Sequence, residues 1–300
     1  MGPGVRSVIG NPMIFRDRPL EAALQKAAAL GYDLLELWPP QIAACKTDDL
    51  RRELAEHCRA LGTPAVRLNA AGADYFDAPL LHPDATAEVL AGLKRDILAT
   101  EAMGMRHLLT WEGRRPAPVA DDVRHGALLD VTANLFREAV AFGRDHSVAL
   151  TVEVHPFTLG IDLDWLLRFF DRVGADDFGL TYDCCHFGVG LPEGYVAAIA
   201  RLGPRIHHVH FSDSDQISSE LHFAPERGRL DLPAILAALR EINYTGTWML
   251  DLWGWPFPEE GSRIGLAYLR QVGAKHSLVP DEHSDPPRAN ASPLQRTNED

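Results

Sequence analysis

Apolar and polar positions along the chain alternate between two periods. Short runs rich in β-branched and apolar residues recur, and each is followed by a longer stretch with helical spacing. The short runs predict strands at Val5–Ile9, Leu34–Leu37, Ala65–Leu68, His107–Thr110, Ala149–Val154, Phe178–Asp183, Ile206–Phe211 and Thr247–Leu252. Between them, Leu20, Ala23, Leu24, Ala27 and Ala28 form an apolar stripe that Gly31 is placed to stop. Leu166, Phe169, Phe170 and Val173 repeat the i, i+3, i+4, i+7 spacing ahead of Gly174. Leu232, Ile235, Leu236 and Leu239 do so again, with Asp231 in the N-cap position. Further helices fit Asp48–Leu61, Pro83–Ala102, Asp121–Asp145, Gly194–Leu202 and Pro258–Lys275. Strands alternating with helices predict a parallel sheet, and eight such units close into a (β/α)8 TIM barrel. An open doubly wound sheet is the competing architecture, but no Gly-x-Gly-x-x-Gly turn follows the first strand.

Residues 1–275 are expected to form this one barrel. From His276 the pattern stops: SLVPDEHSDPPRANASPLQRTNED carries four prolines and almost no apolar residues. Such a segment cannot offset its ordering entropy by burial, so 276–300 is expected to be a disordered tail.

Composition narrows the function classes. Of 300 residues, 46% are hydrophobic and 24% charged, as in an ordinary globular chain. The net charge of −13 argues against broad electrostatic binding to nucleic acid. The first residues, MGPGVRSVIGNP, lack a basic region followed by an apolar run, so no signal peptide is expected. No apolar run approaches the ~18 residues of a membrane span. Cys45, Cys58, Cys184 and Cys185 fit neither a disulfide framework nor a CxxC pattern, and read as idle thiols in a reducing cytoplasm. Association into a homo-oligomer is left open.

In a barrel of this kind, active sites lie at the C-terminal ends of the strands. Strand five ends TVEVHPF, six LTYDCCHF, seven HHVHFSDSD and eight WMLDLWGW, placing Glu153, Asp183, His210 and Asp251 at one mouth. Buried carboxylates without a cation or partner are costly. Three carboxylates and one imidazole suit Mn²⁺, Mg²⁺ or Co²⁺ and permit Zn²⁺. Strand alternation puts His155 on the face of Glu153, and His208 on that of His210, with His207 and Val209 toward the helices. His208 reads as a satisfied core histidine. Glu36 is expected either to bond a substrate hydroxyl or to make a structural salt bridge. Trp38, Trp111, Phe157, Trp253 and Trp255 crowd the rim; singly they read as core, together as an apolar wall. The loop after strand eight (Trp253, Trp255, Glu259, Glu260) has no glycine-rich anion nest, which favours an unphosphorylated substrate.

GYDLLELW, Glu153 in TVEVHPF, Asp183-x-x-His186, HVHFSD and the acidic residue after NYTG together resemble the sugar isomerase/epimerase family. These are xylose isomerase-like barrels related to ketose 3-epimerases and endonuclease IV, and the resemblance spans roughly residues 5–275. It implies one divalent cation, Mn²⁺ foremost, held by Glu153, Asp183, His210 and Asp251. It also implies catalytic roles for Glu153 and Asp251, in proton abstraction next to the carbonyl of a small carbohydrate. His155, His186, Arg227 and Trp111 are then expected to contact substrate. Two positions depart from the family pattern. Asp251 stands where a Glu that also moves a proton is common, and Pro225-Glu226-Arg227-Gly228 stands where Pro-Gly-x-Gly is frequent. Arg227 is expected either to bind a substrate oxygen or to be solvated.

The alternative within the same fold is a metal-dependent lyase or dehydratase, acting for example on dehydroshikimate or oxidised C-glycosides. His210 stands against the dehydratase branch, where an amide is usual. A DNA-repair endonuclease would need histidines on strands three and four, where this chain has Asn69 and Trp111. A non-catalytic sugar-sensing barrel would leave the ligand constellation without a purpose.

Overall fold

Eight parallel strands close on themselves in chain order: β1 (Val8–Gly10), β2 (Leu34–Leu37), β3 (Ala65–Asn69), β4 (His107–Thr110), β5 (Ala149–Glu153), β6 (Gly179–Asp183), β7 (Ile206–Phe211) and β8 (Thr247–Leu250). β1 pairs with both β2 and β8, so the sheet has no free edge. The computed structural model describes residues 7–71, 73, 83–114 and 122–276. The first residue of the expected tail, His276, ends the last helix, and the rest of it falls outside them, as do Val5 and Arg6 of the first predicted strand.

Helices between the strands form the outer ring: α1 (Leu20–Leu30), α2 (Pro39–Ile42), α3 (Asp48–Ala60), α4 (Pro83–Ala102), α5 (Asp122–Asp145), α6 (Leu163–Val173), α7 (Cys184–Gly190), α8 (Tyr195–Leu202), α9 (Leu232–Glu241) and α10 (Pro258–His276). Two of these, α2 and α7, are short helices after β2 and β6 that periodicity could not reveal. The terminators act as expected: Gly31 ends α1 at φ 91°, and Gly174 ends α6 at φ 66°. Asp231 caps α9 by accepting from the Ala234 N–H at 2.9 Å.

The apolar core lies between the strands and the helices. Phe136, Phe169 and Phe178 meet there with ring centroids 5.3–5.7 Å apart, all buried. The lumen differs from the branched-apolar filling usual in such barrels. Arg67 lies inside it, donating to Thr151 Oγ1 at 3.2 Å and Thr247 Oγ1 at 3.4 Å, with Thr181 donating to Thr151. Glu36 supplies the opposite charge, 3.6 Å from Arg67 Nε. This buried polar layer is the floor on which the mouth is built.

Candidate active site

The C-terminal ends of β5 to β8 bring Glu153, Asp183, His210 and Asp251 together, each buried. β8 ends one turn of the pleat earlier than the sequence suggests, at Leu250, yet the Asp251 N–H still donates to Phe211 O at 3.1 Å. That bond holds Asp251 in register with its neighbours. One ligand atom from each of the four lies within 4.8 Å of the others. His210 Nδ1 is 2.5 Å from Glu153 Oε1 and 3.6 Å from both Asp183 Oδ2 and Asp251 Oδ2. Despite these distances, Glu153 Oε1, Asp183 Oδ2 and His210 Nδ1 have no hydrogen-bond partner and no solvent access. Unpaired lone pairs converging in a buried space are what a cation at roughly 2.0–2.2 Å from each donor would satisfy. The donor set of three carboxylates and one imidazole fits a hard or borderline divalent ion.

The electrostatics keep the carboxylates ionised, while, against burial, the same carboxylates push the His210 and His222 imidazoles up. Burial alone would push the Glu153 carboxyl up, but His210 and His155 outweigh it and hold it well below the usual range. Burial likewise opposes ionisation of Asp183, and His186 and His222 overcome that. Glu36 is held ionised in the same way by His210 and His208. For His186 burial wins, and its imidazole is pushed down to about 3.

A cavity of about 800 Å³ opens above these groups. Glu153, His155, His186 and Asp251 line it, whereas Asp183 and His210 lie beneath. His155 Nε2 sits 3.2 Å from Glu153 Oε2, and its ring stacks 3.6 Å from that of His186. Trp111 also lines the cavity and packs its edge on His155 at 4.8 Å. Trp38, Trp253 and Phe157 line it as well, while Trp255 packs against Phe223 away from it.

Arg227 does not join this group. It is exposed and outside the cavity lining, because the segment after β7 folds back on itself. Asp213 organises that fold: its carboxylate accepts from the Ser214, Gly228 and Leu230 N–H groups at 2.8–3.0 Å. A Cβ on Gly228 would lie 2.3 Å from Asp213 Oδ1, so only glycine permits the close approach. The resulting turn sends Arg227 to solvent, with Glu226 beside it at φ 66°.

The same fold-back delivers a residue that periodicity could not flag. Asp213 bridges Phe223 antiparallel, and the His222 N–H donates to Trp253 O at 2.8 Å. His222 is thereby buried at the mouth, with Nδ1 3.1 Å from Asp251 Oδ2 and Nε2 3.3 Å from His186 Nε2. Its lone position in an aperiodic loop was the one available signal. Glu36 resolves to the structural alternative: it accepts from Asn69 Nδ2 at 2.8 Å and faces Arg67, His208 and His210 at 3.4–3.6 Å. His208 is anchored by Thr247, with Nδ1 2.7 Å from its Oγ1, while its Nε2 faces Glu36 Oε2 at 3.4 Å without a hydrogen bond.

Comparison with known proteins follows this geometry. Sequence comparison with curated proteins returns no match. Among solved structures, the zinc-bound IOLI protein superposes with a TM-score of 0.73 at 18% identity, covering 91% of this chain and 100% of that one. D-Psicose 3-epimerase of Clostridium cellulolyticum H10, solved with D-tagatose, gives 0.70 at 15% identity over 85% and 94%. The probable 3-DHS dehydratase AsbF of Bacillus anthracis gives 0.69 at 14% identity over 88% and 98%. At these identities the likeness shows the fold. The sequence itself matches the family described as xylose isomerase-like TIM barrel over residues 24–272. With that match spanning most of its length, the chain belongs to the xylose isomerase-like TIM-barrel family.

Proposed function

We propose that the protein is a divalent-metal-dependent enzyme that moves a proton next to the carbonyl of an unphosphorylated sugar or polyol derivative, giving epimerisation or isomerisation. The observation that carries this reading is the convergence of buried, unpartnered donor atoms from Glu153, Asp183 and His210 beneath an open cavity. Glu153, Asp183, His210 and Asp251 would hold the cation, with Mn²⁺ the first choice and Mg²⁺, Co²⁺ or Zn²⁺ compatible. Bound there, the cation supplies Lewis-acid polarisation of a carbonyl oxygen.

The remaining work falls to side chains. Glu153 has Oε1 turned to His210 and Oε2 turned to His155. It therefore lies at both the ligand cluster and the cavity, and is the base that takes the proton from carbon. The neutral His186, together with His155 whose ring lies 3.6 Å away at a tilt of 36°, holds substrate oxygens. Trp111 fixes the His155 ring by edge contact. Asp251, on the opposite side of the cluster, is placed to return the proton.

A second reading is favoured by one observation. Asp251 has both oxygens engaged, Oδ1 accepting from the Trp253 N–H at 2.9 Å and Oδ2 3.1 Å from His222. A short side chain pinned in this way reaches less far than a Glu. If it cannot return the proton, expulsion of a β-substituent follows, and the enzyme is a lyase.

The test is exchange of the substrate α-hydrogen with solvent deuterium, using Mn²⁺-loaded protein and a panel of ketoses and keto-glycosides. Exchange with rearranged but complete product supports the isomerase reading. Product lacking a substituent supports the lyase. Exchange should vanish in Glu153→Gln, with the fold retained. No exchange in any compound overturns proton transfer altogether.

A further inference from the structure

The mouth is divided along the chain. Every cavity-lining donor of the candidate cluster comes from the β5–β8 half, whereas the β1–β3 half contributes Met13, Trp38, Pro39, Pro40, Ala43 and Ala71. The one amide in that half, Asn69, is already committed, with Nδ2 donating to Glu36 and Oδ1 accepting from the Ala71 N–H. Trp253 Nε1 is committed too, donating to Glu220 Oε2 at 3.2 Å. Hydroxyls of a polyol lying against this wall would leave water and find few new partners.

The wall offers aromatic edges and apolar area in their place. Trp38 and Trp253 stand with centroids 4.8 Å apart and planes tilted by 35°. The Arg16 guanidinium lies 4.3 Å over the Trp253 ring and braces it from one side. Across the barrel, just after β4 and β5, Trp111 and Phe157 form a second pair at 5.5 Å. At about 800 Å³, the space lies toward the upper end of the roughly 300–1,000 Å³ range of small-molecule sites, and a single monosaccharide fills only part of it.

We propose that the substrate is a carbonyl sugar bearing a flat aromatic substituent, with the sugar on the β5–β8 donors and the aromatic ring against Trp38 and Trp253. The sugar end rests on the proton-transfer reading above; the aromatic end does not depend on it. Aromatic faces and apolar side chains gain from covering such a ring by area burial and by offset or edge contacts.

The test compares phenyl and methyl 3-keto-β-D-glucosides, a pair differing only in the aglycone, by calorimetric titration into the full-length Mn²⁺-loaded protein. The phenyl compound should bind at least about tenfold tighter, a margin set by ring burial and stacking. Trp253→Ala and Trp38→Ala should each shrink that ratio toward one, while Trp253→Phe retains most of it. Retention by Phe separates loss of the ring from loss of the fold. Equal affinities for the two compounds, or binding of neither, overturn the aromatic subsite. If α-hydrogen exchange accompanies equal affinities, proton transfer survives without the subsite. A phenyl preference with no exchange in these two compounds or in the wider panel supports the subsite and overturns proton transfer.

Discussion

His210 Nε2 lies 3.4 Å from Glu36 Oε1, and both side chains are fully buried. The opposite ring nitrogen, Nδ1, faces the carboxylates of the candidate cluster. A proton on Nε2, the side that faces Glu36, would leave the Nδ1 lone pair free to bind a cation. Glu36 is in turn held by Asn69 and Arg67, so the polar layer of the lumen lies directly beneath the candidate ligand His210.

Glu36→Gln should therefore weaken Mn²⁺ binding by about 10–100-fold, the usual effect of losing such an outer partner. Titration calorimetry measures this directly. The variant should also melt at a lower temperature, because Arg67 is left buried without its carboxylate. Unchanged Mn²⁺ affinity together with a lower melting point would show that Glu36 serves Arg67 alone.

Asp183 has two separable tasks. Its Oδ1 accepts from the His186 N–H at 2.7 Å and caps α7, while Oδ2 is the unpartnered donor. Asp183→Asn should keep the cap and Asp183→Ala should lose it, at a cost of about 1 kcal/mol. Both should empty the site by elemental analysis. Full metal content in the Asn variant would remove Asp183 from the ligand set.

Glu112 gives a pH signature independent of the cluster. It is buried behind Trp111, accepts from the Gly160 N–H at 2.6 Å, and burial pushes its carboxyl up from 4.5 to about 7. As pH rises from about 4.5 to 7, the unfolded chain releases this proton while the folded chain keeps it. Glu112 thus subtracts stability over that window, by roughly 3 kcal/mol at its upper end from the size of the shift. Glu112→Gln carries no such proton, so its stability relative to the parent should climb across the same window. Denaturant melts at pH 4.5 and pH 7.5 read this; a constant difference would place the ionised carboxylate in the native state.

Gly10 closes β1 against Tyr32, where an added Cβ would lie 2.5 Å from the ring. Tyr32 cannot swing away freely, because its hydroxyl donates to Ser262 at 2.9 Å in the packed base of α10. Gly10→Ala should cost about 1–3 kcal/mol by overpacking. Chemical denaturation checks it, and a neutral result would mean that α10 yields.

What the sequence showed and what it hid follow from periodicity. Glu153, Asp183, His210 and Asp251 were legible because each follows a run of alternating apolar residues, and a strand end fixes where a side chain points. His222 was hidden, and Arg227 carried two readings, because their placement depends on Asp213, which acts through three backbone N–H groups with no regular spacing. The same limit applies to α7, whose seven residues begin on the cap of Asp183 instead of on an apolar stripe. Glu36 carried two readings because strand alternation says only that it faces inward. Whether it meets substrate or Arg67 depends on its depth in the lumen, and depth is set by the stagger of β2 on β3, where the register shifts between Leu35 and Glu36.

The split of the mouth between β1–β3 and β5–β8 makes the chain modular for recombination. Apolar lining residues from Met13 to Ala73 precede β4, and the donors from Glu153 to Asp251 follow it. A crossover within β4 would exchange Met13, Trp38, Pro39 and Pro40 for their counterparts in a relative, while Trp111, Phe157 and Trp253 stay with the donor set that follows β4. Shuffled libraries joined there should vary in what they accept, and should load metal well only where the incoming half carries a carboxylate at the position of Glu36.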